Sequence, residues 1–216
     1  MPKITEIQTI TYRLPMSGSL SWGKASRLDT LEHVLVRLIT DTGHVGLAEA
    51  PPRATLYGEP PESIRAIIHN HLAPRLVGLD IAEIEQANAE MAVIANNHAA
   101  KGAIDICLHE ALAASRDQTL RQYLDPPTQK IKVSYILGIA DLDTMLAEAR
   151  TVYEQGVRVF KVKVGRNFAA DGAIIEALQA EFAGAGVSLY ADANETFTPA
   201  EAAARLRQLA GLGLLY

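Results

Sequence analysis

The chain has 216 residues, 49% of them hydrophobic and 21% charged, with a formal net charge of −5. That is globular composition, enough for one large domain or two modest ones, and the acidic balance leaves no basic footprint for nucleic acid. No apolar run approaches the ~20 residues of a membrane span. Met1-Pro2-Lys3-Ile4-Thr5-Glu6 lacks the apolar core of a secretion signal, and the lone Cys107 excludes an internal disulfide, so a soluble cytoplasmic protein in a reducing compartment is expected.

The first third reads as sheet. Ile10, Tyr12 and Leu14 alternate with polar residues, as do Val34, Val36 and Leu38; Asp41-Thr42-Gly43 signals a turn, and His44–Ala48 returns as a third strand. An antiparallel meander is expected. The long polar segment Pro15–Thr30 between the first two strands reads as a loop, either disordered or functional. Helices follow. Pro60-Pro61-Glu62-Ser63 opens one that runs to about Leu76, and Asp80-Ile81-Ala82-Glu83 has capping-box spacing for a second. A third spans about Ala99 to Ser115, with Cys107 as buried filler in its apolar run. Asp125-Pro126-Pro127-Thr128 breaks the pattern and sets the expected boundary between domains 1–127 and 128–216.

Beyond the boundary, strands alternate with helices. Strand Ile131–Leu137 precedes helix Leu142–Gln155, strand Arg158–Val164 precedes helix Ala169–Phe182, and strand Val187–Ala193 precedes helix Pro199–Leu209, which Thr198 caps. Leu214-Leu215-Tyr216 reads as the start of a fourth strand. Units repeating roughly every 27 to 30 residues imply parallel strands with right-handed crossovers. An open doubly wound sheet and a (β/α) barrel both fit. The absence of a Gly-rich phosphate turn weakens the first, and polar residues ending several different strands favour the second.

Those polar residues are Lys161 and Lys163 on one strand and Asp192 and Asn194 on the next. Strand side chains alternate faces, so each pair points one way, with the lysines roughly 7 Å apart along the backbone. Taken singly, Lys-x-Lys is commonly a solvated face, and Asp-x-Asn before a helix is a turn and a cap. Together, at the ends of consecutive parallel strands that are covered on both faces, they call for a purpose. Proton transfer is one. A lysine titrating near 10.4 is a poor base until a second ammonium, a cation or burial lowers its pKa. Removing a proton next to a carboxylate builds an enolate dianion, which a divalent metal stabilises.

At these residues the chain resembles the enolase superfamily, specifically the muconate lactonizing enzyme subgroup. The likeness runs through Gly43–Glu49, Glu49-Ala50-Pro51-Pro52, Tyr57-Gly58-Glu59, Lys101-Gly102-Ala103-Ile104-Asp105 to His109-Glu110, Lys161-x-Lys163 and Asp192-Ala193-Asn194. Ala48, Glu110 and Ile136 depart from the residues usual at their positions. The resemblance implies an α+β capping domain (three-stranded meander plus helices) followed by α/β, the first part of a (β/α)7β TIM-like barrel. It implies Lys163 as general acid/base, with Lys161 tuning it and neutralising a substrate carboxylate. Asp192 is implied as the first of three Mg2+ ligands and Asn194 as its support. The loops Pro15–Thr30 and Pro51–Gly58 would cover the barrel mouth, with Trp22 and Tyr57 touching substrate.

The partners implied are a small carboxylate substrate and further copies of the chain in a homo-oligomer, with no nucleic acid and no membrane. A complete barrel takes ~250 residues, and only about 90 follow Pro127. The resemblance places further metal carboxylates on later strands. Asp192 alone is therefore expected to hold magnesium poorly, and the 216-residue chain by itself is expected not to turn over. A truncated product, an incompletely represented enzyme and one piece of a split assembly all remain open. The resemblance implies a metal-dependent isomerase, a cycloisomerase or a racemase or epimerase, and two other readings compete with it. One is a non-catalytic assembly module that pairs exposed strand edges; the other is a small-molecule binding module with no metal near Asp192.

Overall fold

A computed structural model describes residues 1–127 and 130–215. The last residue of the expected boundary motif, Thr128, and the last of the expected fourth strand, Tyr216, lie outside them. The chain divides into two compact units, Met1–Pro15 with Thr30–Gln129 and Met16–Asp29 with Lys130–Tyr216.

The first unit is built on a sheet of order β1-β2-β3, from β1 (Ile4–Trp22), β2 (Ser26–Thr40) and β3 (Val45–Ala50). β2 and β3 pair antiparallel, with Val34 opposite Ala50 and Leu38 opposite Gly46. Alternation assigns the faces: Val34, Val36, Leu38 and Ala50 are fully buried, while Leu47 and Glu49 face out. Against the inner face lies α5 (His98–Ala114), which buries Ile104, Cys107, Leu108 and Ala111. The helix comes so close that a Cβ on Gly46 would lie 1.9 Å from the Cys107 carbonyl oxygen, so only glycine fits there. Glu110 on α5 locks the contact by accepting the Leu47 N–H at 2.6 Å. The N-terminal amides of α5 are satisfied by Glu59, itself buried, whose carboxylate accepts from Ala99 N at 3.2 Å and Ala100 N at 3.4 Å.

The short α1 (Ala54–Tyr57) precedes a longer rod made of α2 (Pro61–Ile67), a π turn (Ile68–Leu72) and α3 (Ala73–Leu76). Ile64, Ile68, Leu72 and Leu76 are all fully buried along it. The expected second helix starts later than its capping signal: α4 is Ile84–Ala92, and Asp80 instead accepts from Ala82 N in a local turn. α6 (Leu120–Leu124) closes the unit with a Thr119–Gln122 capping box.

The segment Pro15–Thr30 is not a loop. β1 and β2 continue through it as a hairpin that turns at Gly23–Ala25, with Gly23 at φ +55°. Its residues lie mostly half-buried or exposed, and the alternation of Met16, Leu20 and Trp22 with serines is diluted by Gly18 and Gly23, so the segment reads as polar. This hairpin tip belongs to the second unit.

The body of that unit is a parallel sheet of order β4-β5-β6, from β4 (Tyr135–Leu137), β5 (Val159–Lys163) and β6 (Ser188–Asp192), with α7 (Leu142–Glu154), α8 (Phe168–Glu181) and α9 (Pro199–Ala210) between and after them. Phe160, Val162, Val164, Leu137, Met145, Ile175 and Leu178 form its core. Side chains of Asp141 and Asn167 cap α7 and α8 by accepting from Thr144 N and Ala170 N. Thr198 does not cap α9 in this way; its hydroxyl donates to Glu201 Oε2 at 2.6 Å. β4 is shorter than expected, with Ile131 and Val133 strongly exposed. Tyr135 pairs with Phe160, so Ile131 would fall opposite Gly156, where the chain turns at φ +95° and offers no strand to pair with. At the other edge no strand forms at Leu214–Leu215 among the described residues, although Leu215 N donates to Leu189 O at 2.8 Å. Among the described residues no helix is long and apolar enough to cross a membrane.

Candidate active site

The parallel register of β5 and β6 sets Lys161 opposite Tyr190 and Lys163 opposite Asp192. Phe160 and Val162 fill the core behind, so Lys161 and Lys163 emerge together on the other face. Lys163 is 8% exposed, and the side chains of Lys161 and Asp192 are 25% and 24% exposed. Both ammonium groups converge on one oxygen: Asp192 Oδ2 lies 2.7 Å from Lys163 Nζ and 2.8 Å from Lys161 Nζ. Asp192 Oδ1 accepts from Asn194 N at 2.8 Å, and Lys163 Nζ donates a further bond to Asn194 Oδ1 at 2.9 Å. Asn194 takes left-handed φ (+48°), which asparagine tolerates, and this bend returns its amide to the carboxylate two residues back. Burial pushes the Asp192 carboxyl upward, but the two ammonium groups and the Asn194 amide outweigh it and hold the carboxyl well below the usual aspartate range.

Beneath this layer, Tyr190 presents its ring to Lys161, with Nζ 5.8 Å from the centroid, and its hydroxyl bonds Ser134 Oγ at 2.8 Å. Sequence reasoning passed over Tyr190 and Ser134. Tyr190 was findable, since it has the parity of Asp192 on the same strand; Ser134 was not, because the register of β4 decides it. The loop after Lys163 is fixed from two sides. Asp171, 5% exposed on α8, accepts the Gly165 N–H at 2.6 Å, and burial raises its pKa. Thr196 packs against Gly165 so tightly that a Cβ there would fall 1.9 Å from Thr196 Oγ1.

Lys161, Lys163, Asp192 and Asn194 are thus brought into contact. Trp22 lies on the hairpin tip of the same unit, half-buried. Tyr57 belongs to the other unit, at the end of α1, where its hydroxyl donates to Pro51 O at 2.7 Å. A magnesium ion asks for about six oxygen ligands in octahedral array. The cluster offers one carboxylate with both oxygens already accepting bonds, and no group of three or more His, Cys, Asp or Glu side chains able to hold a metal occurs among the described residues. The residues described do not by themselves fit a magnesium site.

The described residues thus form a meander-and-helix unit and a partial parallel α/β unit whose neighbouring strands carry paired lysines and an aspartate at their carboxyl ends. The family profile described as mandelate racemase / muconate lactonizing enzyme, N-terminal domain, matches residues 13–124, and the enolase C-terminal domain-like profile matches residues 144–216. The chain belongs to the mandelate racemase/muconate lactonizing enzyme family. It is 31% identical over 98% of its length to the L-Ala-D/L-Glu epimerase of Bacillus subtilis (strain 168). It superposes with TM-score 0.92 on muconate lactonizing enzyme from Mycobacterium smegmatis, complexed with muconolactone, at 40% identity over 99% of the chain. The dipeptide epimerase of Methylococcus capsulatus, complexed with Mg and the dipeptide L-Arg-D-Lys, superposes with TM-score 0.88 at 26% identity over 99% of the chain. The chain spans 58% of the length of each of the first two and 60% of the third.

Proposed function

We propose that the protein to which this chain belongs is an isomerase that moves a proton next to a substrate carboxylate, as a cycloisomerase or as a racemase or epimerase of the dipeptide-epimerase kind. The observation that carries the reading is the buried Lys163 amine, held by Asp192 and Asn194 beside Lys161 at the carboxyl ends of β5 and β6. Lys163 Nζ takes or returns the α-proton, and Lys161 tunes that amine and meets the substrate carboxylate. Asp192 is proposed as one Mg2+ ligand, supported by Asn194, because a relative is seen with that ion. A bound magnesium would supply charge stabilisation for the enolate. Since one carboxylate is too few, the 216-residue chain alone is expected not to turn over. The same reading takes 1–127 as the capping domain and 128–216 as barrel, Trp22 and Tyr57 as substrate contacts, the cytoplasm as the site of action and a homo-oligomer as the working state.

The test is exchange of substrate α-hydrogen with D2O, followed by NMR over dipeptides, N-acyl amino acids and unsaturated diacids in the presence of Mg2+. A turnover-competent form that contains this chain should exchange a substrate from one of these classes, and Lys163→Ala should abolish the exchange. Unchanged exchange in Lys163→Ala removes Lys163 from the reaction, and full turnover by the isolated 216-residue chain refutes the single-ligand argument.

A further inference from the structure

The loop that follows Lys163 also holds the hairpin tip. Arg166 sends Nε to Gly23 O at 2.7 Å and Nη2 to Trp22 O and Ser26 O, both at 3.1 Å. Three carbonyls of one tight turn converge on a single guanidinium, a planar fork that a lysine cannot reproduce. The turn is shaped for it: Gly23 is buried and takes φ +55°. A second attachment lies at the loop after β4, where Ile139 N donates to Ser21 O at 3.0 Å and a Cβ on Gly138 would come within 3.0 Å of Leu20 Cδ1. Arg166 is mostly exposed, yet its backbone is not free to drift, because the preceding Gly165 is pinned by Asp171 and Thr196.

We propose that Arg166 is a positioning residue that couples the hairpin tip Trp22–Ser26 to the loop leaving the Lys163 strand, so that the tip and the carboxyl rim of β5 move as one body. The importance of this coupling for substrate rests on reading the Lys163 cluster as the reacting centre; the coupling itself does not. Arg166 touches none of the lysine–aspartate groups in the bonds described and acts only through the tip and its own loop.

Trp22 is the sole tryptophan, so its emission reports the tip without labelling. The experiment compares acrylamide quenching of Trp22 and amide hydrogen exchange across Leu20–Asp29 in the parent chain, Arg166→Ala and Arg166→Lys. Arg166→Ala should raise Trp22 quenching and speed exchange at Gly23–Asp29 by about threefold or more, and speed it less at Leu20–Ser21, where the Ile139 bond persists. Arg166→Lys should fall between. Helix and strand content by circular dichroism should not change. Parent-like quenching and exchange in Arg166→Ala overturn the proposal. Should that variant fail to fold, the parent chain still decides: a tethered tip requires quenching several-fold weaker than for free tryptophan, and equal quenching overturns the tether. None of these readings needs turnover. A failed exchange assay on substrate therefore leaves the coupling standing, and failed coupling leaves the proton-transfer reading standing.

Discussion

Asp192→Asn tests the lysine–aspartate cluster most directly. The substitution preserves size and the acceptor for the Asn194 amide, but it removes the charge on which Lys161 and Lys163 converge. Lys163, 8% exposed, is left with Asn194 Oδ1 as its remaining described acceptor. Stripping one partner from a buried pair costs about 3–5 kcal/mol, and partial exposure of Asp192 and Lys161 screens some of that, so about 2–3 kcal/mol is expected at pH 7. With urea slopes of ~1–3 kcal/mol/M, the unfolding midpoint should fall by about 0.7–3 M. Trp22 lies in the same unit, so its fluorescence follows the transition.

The pH dependence has a definite sign. The folded-state pKa of Asp192 is depressed, so its contribution is complete above the ordinary aspartate pKa and is lost as pH falls below about 4 toward the folded value, because the unfolded chain takes up the proton first. The gap between parent and variant should therefore narrow on acidification. A gap below about 0.5 kcal/mol at pH 7, or one that stays constant down to pH 3, refutes the electrostatic account.

Gly165→Ala combines a φ of +111° with a collision against Thr196, and should destabilise by about 2–4 kcal/mol in urea unfolding, whereas Gly172→Ala on α8, with open space around its Cβ, should stabilise by about 0.5–1 kcal/mol; equal effects would discount the packing of the loop after Lys163. Cys107 is fully buried, and burial pushes its thiol up to about 12. It should resist a disulfide reagent at pH 8 in the folded chain and react at once in denaturant, and rapid labelling of folded chain would contradict the α5–β3 packing.

The elements that carry a covered face were legible in the sequence. Val34-x-Val36-x-Leu38 announced β2 by period two, and the strand–helix units after Pro127 announced parallel strands, which sufficed to bring Lys163 beside Asp192. What stayed hidden depended on partners distant in sequence. The hairpin carries only a thin apolar parity, Met16, Leu20 and Trp22 among serines and glycines, so it reads as loop; Ile131 and Val133 look like strand because nothing local reveals that β5 has already turned away at Gly156. Arg166 looked like an ordinary surface cation, since its acceptors are backbone carbonyls some 140 positions earlier. Thr198 carried every local sign of a cap, yet its hydroxyl found the Glu201 carboxylate instead of an amide.

The π turn within the rod from Pro61 to Leu76 bears on how this stretch can vary. Ile64, Ile68, Leu72 and Leu76 recur every fourth residue, while a regular helix turns about 100° per residue, so each step would swing the stripe about 40° away from the core. The wider turn at Ile68–Leu72 takes up that excess and keeps four large side chains in one line. Deleting one residue there would restore regular winding and leave Leu76 eleven positions after Ile64, about 1100° of turn, so it would stay within about 20° of the buried line. The wide turn thus absorbs one extra residue, and it is the place between Ile64 and Leu76 where a one-residue deletion would keep the buried line in register.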